Sequence, residues 1–229
     1  MVGRQLNWDQ YATAWARLHG GFDPRAAAPP VRAWLRLAYH GGYVLGRLRV
    51  TPTAVTVAGV LLCLGVPLVA IRPQDGPFLG ALLVLLASVA DSLDGAVAVA
   101  SNRTTRLGYV YDSVADRLGE AAWLVAFWLL GAPGALVVAG GALSWLHEYV
   151  RARATSAGMR EIGAVTVGER PTRVVVALVG LLLAGLAGLI APDLTAGTST
   201  MASAVWALLA GFGLGQLLAA VRGALINAS

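Results

Sequence analysis

Charged side chains are scarce in this chain. They make up 13% of its 229 residues, and the mean hydropathy is +0.69. Those values exclude an ordinary soluble domain. Cysteine occurs once, as Cys63, so no disulfide can close within the chain. Lysine does not occur, and all 17 basic residues are arginine. Residues 1–50 hold no apolar run of the kind a secretory signal carries. There is no internal repeat and no low-complexity tail.

Long uncharged runs account for the hydropathy: Thr53 to Ile71, Gly76 to Ala90, Ala121 to Leu146, Val174 to Pro192 and Leu194 to Val221. About 20 mostly apolar residues suffice for a helix to cross a bilayer. Gly131-Ala-Pro-Gly134 breaks the third run and reads as a tight turn between two helices. The first helix of that hairpin then begins near Gly108 and includes Asp112 and Asp116. The chain reads as an all-α membrane protein with six transmembrane helices, over 52–71, 77–98, 108–131, 134–154, 172–191 and 198–221.

The arginines give the orientation. Seven, from Arg4 to Arg49, precede the first span. Arg103 and Arg106 lie between spans two and three, and Arg151, Arg153, Arg160, Arg170 and Arg173 surround the link between spans four and five. Arg222 follows span six, and only Arg72 falls in an opposite-side loop. The excess of positive charge predicts a multi-pass protein of the cell membrane with both termini, the aspartate-rich loop and so the active site facing the cytoplasm. A net charge of +5 suits anionic lipid headgroups better than nucleic acid. Residues 1–50 predict amphipathic helices lying at the interface. Trp8, Tyr11, Ala12, Trp15 and Leu18 share one helical stripe; Val31, Trp34, Leu35 and Ala38 share another. Pro24 and Pro29-Pro30 separate the two. The domain division is therefore 1–50, juxtamembrane, and 51–229, the membrane domain.

Half of the eight aspartates fall in one short stretch beside apolar sequence. Asp91 and Asp94 are spaced i, i+3 near the end of span two; Asp112 and Asp116 are spaced i, i+4 near the start of span three. Each pair shares a helix face. A short connection makes the two spans antiparallel neighbours, so the four carboxylates can meet at the membrane edge. An aspartate within a membrane helix costs about 2.5–3.5 kcal/mol at the centre, and like charges add to that. Hard divalent cations compensate such a cluster, Mg²⁺ or Mn²⁺ best. Four carboxylates can hold two ions at the roughly 3.5–4 Å spacing used in phosphoryl chemistry. A carboxylate left facing the cavity can accept a proton from an attacking hydroxyl. Gly95 and Gly108 remove side-chain bulk where a nucleotide approaches. Carboxylates within a membrane also mark ion paths, but such paths carry acids at mid-depth on several spans, and these four gather at one side.

The segment Asp91-Ser-Leu-Asp94-Gly95-Ala-Val-Ala98-Val99, then Gly108-Tyr-Val-Tyr-Asp112-Ser-Val-Ala-Asp116, resembles the signature of the CDP-alcohol phosphotransferase family: D-x2-D-G-x2-A-R, then G-x3-D-x3-D. The likeness extends to Val50–Gly59, and Glu148–Ala154 with Gly168–Arg173 is similar to the branch that makes phosphatidylinositol phosphate. The resemblance implies a six-helix fold, a homodimer, and metal-dependent transfer of a phosphatidyl group from CDP-diacylglycerol to an alcohol with release of CMP. It implies Asp91, Asp94 and Asp112 as metal ligands, and Asp116 as a metal ligand or the catalytic base. It puts Gly95, Ala98, Gly108 and Thr53 around the nucleotide. Arg151, Arg153, Arg170 and Arg173, with Glu148 beside them, form the site for a polyol or polyol phosphate, inositol phosphate foremost.

Three departures stand out. The signature arginine is Val99 here, which leaves open a relative that uses a different donor or binds lipid or nucleotide without turnover. Thr53 replaces an Asn or Asp common in the family. Glu148 replaces a small hydroxyl residue, and its carboxylate either repels a phosphorylated acceptor or pairs with a nearby arginine. Glu120, one turn past Asp116, reads as a partner of Arg117 or Arg151. His147 reads as a hydrogen-bonded interfacial residue, and Trp123, Trp128 and Trp145 as lipid-facing or belt residues.

Overall fold

The computed structural model describes residues 6–18, 21–72, 74–159 and 166–226. Arg4 and Arg160, two of the arginines used above for orientation, lie outside the described residues. Among the described residues, every regular element is a helix: α1 (Trp8–Leu18), α2 (Pro29–Arg47), α3 (Pro52–Ala70), α4 (Gly76–Ala100), α5 (Arg106–Leu129), α6 (Gly134–Ser156), α7 (Arg170–Ile190) and α8 (Pro192–Ile226). Local chemistry sets the boundaries. Prolines open α2, α3 and α8, where a missing N–H costs nothing. Thr51 caps α3 by accepting the Ala54 N–H at 3.2 Å. Asn102, with φ of 52°, takes the left-handed conformation after α4, and the Arg103 N–H closes back on the Ala98 carbonyl at 2.9 Å.

Among the described residues, four helices are long and apolar enough to cross a membrane: α3, α4, α7 and α8. The other two expected spans, α5 and α6, fall short of that measure. Arg106, Asp112, Asp116, Arg117 and Glu120 lie on α5; Glu148, Arg151 and Arg153 lie on α6.

Internal packing divides the chain into two compact units, Met1–Leu62 with Leu86–Asp116, and Cys63–Leu85 with Arg117–Ser229. In the first, the apolar stripe of α1 is turned into the protein. Tyr11 and Ala12 are fully buried and Trp15 nearly so. The Tyr11 ring centroid lies 5.9 Å from Trp8, 5.8 Å from Trp15 and 5.1 Å from Tyr39. These rings pack on the small, apolar face of α4 formed by Ala96 and Val99, and Leu35 and Ala38 of α2 complete the cluster. Val31 and Trp34, assigned to the same stripe as Leu35, remain exposed. Helix α2 approaches α4 closely at Gly41 and Gly42. A Cβ on Gly42 would fall 2.7 Å from the Ala96 carbonyl carbon, the small-residue contact that lets membrane helices touch.

Burial of Val99 gives the first prediction. Val99→Arg, which restores the signature residue, puts a guanidinium into the aromatic cluster. It is expected to destabilise the detergent-solubilised protein by several kcal/mol and to bring no gain in CDP binding. Thermal melting and calorimetric titration with CDP check both.

In the second unit, α8 packs along α6 and α7. Trp206 of α8 is buried and donates its indole N–H to the Ser144 hydroxyl at 2.9 Å. Trp123 is fully buried, which corrects its reading as a lipid-facing or belt residue. Gly119, one turn before it, leaves room for Cys63, whose Sγ a Cβ there would meet at 2.9 Å. Trp128 and Trp145 are half-exposed. Cys63 is buried. The α5–α6 turn falls where the sequence places it. Gly131 has φ of 105°, and a Cβ there would lie 2.6 Å from the Ala196 Cβ. Gly131→Ala meets both penalties, so it is expected to cost about 1–2 kcal/mol, read as a lower melting temperature.

Candidate active site

The aspartates are delivered by the ends of α4 and α5. Asn102 ends α4 as above, and Thr105 caps α5 by accepting the Gly108 N–H at 2.9 Å. The small size of Gly108 leaves space for that cap, since a Cβ would stand 3.0 Å from the threonine oxygen. The link thus returns the chain after five residues, and the aspartate faces meet.

Three of the four carboxylates converge. Asp91, Asp112 and Asp116 each offer an oxygen, and these atoms all lie within 4.8 Å of one another. All three residues are partly buried. An all-carboxylate oxygen set at this spacing fits a hard divalent cation. Asp94 was expected in the same cluster but is turned differently. It is 7% exposed, and its Oδ2 lies 2.6 Å from the Thr56 hydroxyl. Thr56 is a residue the sequence reading missed. It lies one turn after Thr53, which is exposed, in the same Val50–Gly59 segment. Gly95 lies against the Trp15 ring, where a Cβ would stand 3.6 Å away, and Ala98 and Gly108 are partly buried.

The arginines and glutamates of α5, α6 and α7 form a second cluster. Arg173 is buried and donates from Nη1 to both Glu120 oxygens, at 2.9 and 3.1 Å, and from Nη2 to Glu148 at 3.3 Å. Arg117 completes the ring, 2.9 Å from Glu120 and 3.1 Å from Glu148. Arg117 as the partner of Glu120, and pairing of Glu148 with an arginine, agree with the sequence reading. The second partner of Glu120 is Arg173, where Arg151 was the alternative. Arg151 pairs with Glu169 instead. Glu169 also takes the Thr166 N–H and hydroxyl, both at 3.2 Å, and the Thr166 hydroxyl meets His147 Nε2 at 2.9 Å. His147 is hydrogen-bonded as expected but fully buried. Arg153 is exposed and Arg170 partly buried.

The family model for CDP-alcohol phosphatidyltransferase matches residues 49–214. The chain belongs to that family. As a CDP-alcohol phosphatidyltransferase it is a transferase, and its relatives include phosphatidylinositol phosphate synthases. It is 34% identical over 173 residues to that of Corynebacterium glutamicum, covering 72% of this chain and 74% of the relative. It is 34% identical over 162 residues to that of Mycolicibacterium smegmatis, covering 67% and 71%. Its fold is similar to the crystal structure of Mycobacterium tuberculosis phosphatidylinositol phosphate synthase with CDP-diacylglycerol bound. The TM-score is 0.65 at 26% identity, over 81% of this chain and 94% of that one. The same enzyme in complex with manganese and citrate gives a TM-score of 0.65, over 81% and 88%.

Proposed function

We propose that this transferase moves the phosphatidyl group of CDP-diacylglycerol to a polyol or polyol phosphate and releases CMP, as a step in phospholipid synthesis. The observation that carries the reading is the convergence of Asp91, Asp112 and Asp116 within an intact aspartate signature. Inositol phosphate is the acceptor that the names of its relatives bring forward.

In this reading Asp91, Asp112 and Asp116, with Asp94 beside them, hold Mg²⁺ or Mn²⁺, as a two-ion site. Bound divalent cations neutralise pyrophosphate charge and stabilise the leaving phosphate. Thr56 fixes the Asp94 carboxylate in place. Gly95, Ala98, Gly108 and Thr53 border the nucleotide. Asp116 takes the proton of the acceptor hydroxyl as its oxygen bonds to the phosphatidyl phosphorus; the bond from that phosphorus to the CMP oxygen breaks, and CMP departs. Arg151, Arg153, Arg170, Arg173 and Glu148 receive the acceptor. Six helices cross the cell membrane, α5 and α6 with their charged ends at the cytoplasmic face, both termini lie in the cytoplasm, and the enzyme works as a homodimer.

A second reading, a relative with a different donor or without turnover, is motivated by the buried Val99 in place of the signature arginine. One experiment separates the two: CMP release from CDP-diacylglycerol by purified protein with Mn²⁺ or Mg²⁺ and a panel of alcohols. Release that depends on one acceptor supports the first reading. CDP binding without release supports the second.

A further inference from the structure

We infer that Glu148 selects against a phosphate group on the acceptor, so that the alcohol this enzyme uses carries no phosphomonoester. The inference rests on the reading above that the arginine cluster of α5, α6 and α7 receives the acceptor.

The argument begins with a charge balance. Three arginines of the cluster, Arg117, Arg151 and Arg173, face three glutamates, Glu120, Glu148 and Glu169. Within this ring of pairs the charges balance, and Arg153 and Arg170 stand outside it. Arginine recognises a phosphate through two parallel N–H donors. In Arg173 both terminal nitrogens are occupied by carboxylates, Nη1 by Glu120 and Nη2 by Glu148. Burial makes this arrangement costly to change. The side chains of Arg173 and Glu120 are 4% and 1% exposed. A phosphate reaching Arg173 must displace a carboxylate, and a displaced carboxylate is left without its cation beside a second anion.

Glu148 is the member placed to meet an incoming group. Its side chain is 31% exposed, against 22% for Glu169 and 1% for Glu120. It touches Arg117 and Arg173 at once, so its charge guards both. A carboxylate accepts hydrogen bonds and donates none. It therefore suits the hydroxyls of an uncharged polyol and repels a phosphate dianion.

The test uses the full-length protein in nanodiscs with CDP-diacylglycerol and Mn²⁺. CMP release is compared for inositol against inositol phosphate and for glycerol against glycerol phosphate. The wild type is expected to favour the unphosphorylated member by about tenfold or more in kcat/KM, because like charges brought together are disfavoured. Glu148→Ser and Glu148→Gln are each expected to move that ratio toward the phosphorylated member by about tenfold. Wild-type preference for the phosphorylated member, or an unmoved ratio in both variants, overturns the inference. If Glu148→Ser does not fold, Glu148→Gln, which keeps the shape and removes the charge, decides alone. Absence of CMP release with every alcohol counts against the proposed function instead. Calorimetric titration with inositol phosphate then decides: binding to Glu148→Gln about tenfold tighter than to wild type supports the inference, and equal binding overturns it.

Discussion

Asp116→Asn is expected to lower CMP release from CDP-diacylglycerol by roughly 10²–10⁴-fold, the range for loss of a positioned acid or base. Asparagine keeps the shape of the side chain but cannot take a proton, and it is a weaker ligand for a hard cation. The two roles of Asp116 separate by measurement. Mn²⁺ binding followed by electron paramagnetic resonance reports the ligand role. The rate at saturating Mn²⁺ reports the base role. A rate restored by excess Mn²⁺ assigns Asp116 to the cation alone. A rate that stays low while Mn²⁺ binds normally assigns it to the proton. A variant within tenfold of wild type, with unchanged Mn²⁺ binding, removes Asp116 from the chemistry and with it the proposed mechanism. Melting temperature serves as the control for folding.

Arg173→Ala is expected to cost about 3–5 kcal/mol of stability, the penalty for stripping one partner from a buried ion pair. The loss falls on Glu120, whose side chain is 1% exposed and accepts two of the Arg173 hydrogen bonds. Arg117 at 2.9 Å then remains as its partner. The double variant Arg173→Leu with Glu120→Leu is expected to recover most of that loss, because two apolar side chains can replace a buried pair at little cost. Denaturation of both variants in detergent closes the cycle. A double variant as unstable as the single one means that the cluster contributes through Glu148 and Arg117 rather than through the Arg173–Glu120 pair.

Much of the helical plan was legible in the residues. The glycine–proline turn at 131–134, the proline openings of α2 and α3, and the pairing of aspartate faces on α4 and α5 all follow from local rules. Such rules act over a turn or two of helix. Other features depend on partners far away in sequence. The stripe of Trp8, Tyr11 and Trp15 satisfies an interfacial pattern and a core pattern equally, because periodicity shows that a face is apolar and not what covers it. In the structure Ala96 and Val99 of α4 cover it. Trp123 was misread for the same reason. At the site, spacing placed Asp94 on the face of Asp91 but could not show that Thr56, 38 residues away, holds its carboxylate. Glu169 escaped notice because its role appears only when the α6 and α7 ends are brought together and Arg151 needs a counter-charge.

Val99 and the aromatic helix α1 form one packing unit. A guanidinium at position 99 and rings at positions 11 and 15 compete for the same volume, so a change at one is felt at the other. Substitutions at position 99 and in α1 are therefore expected to be non-additive in their effect on stability.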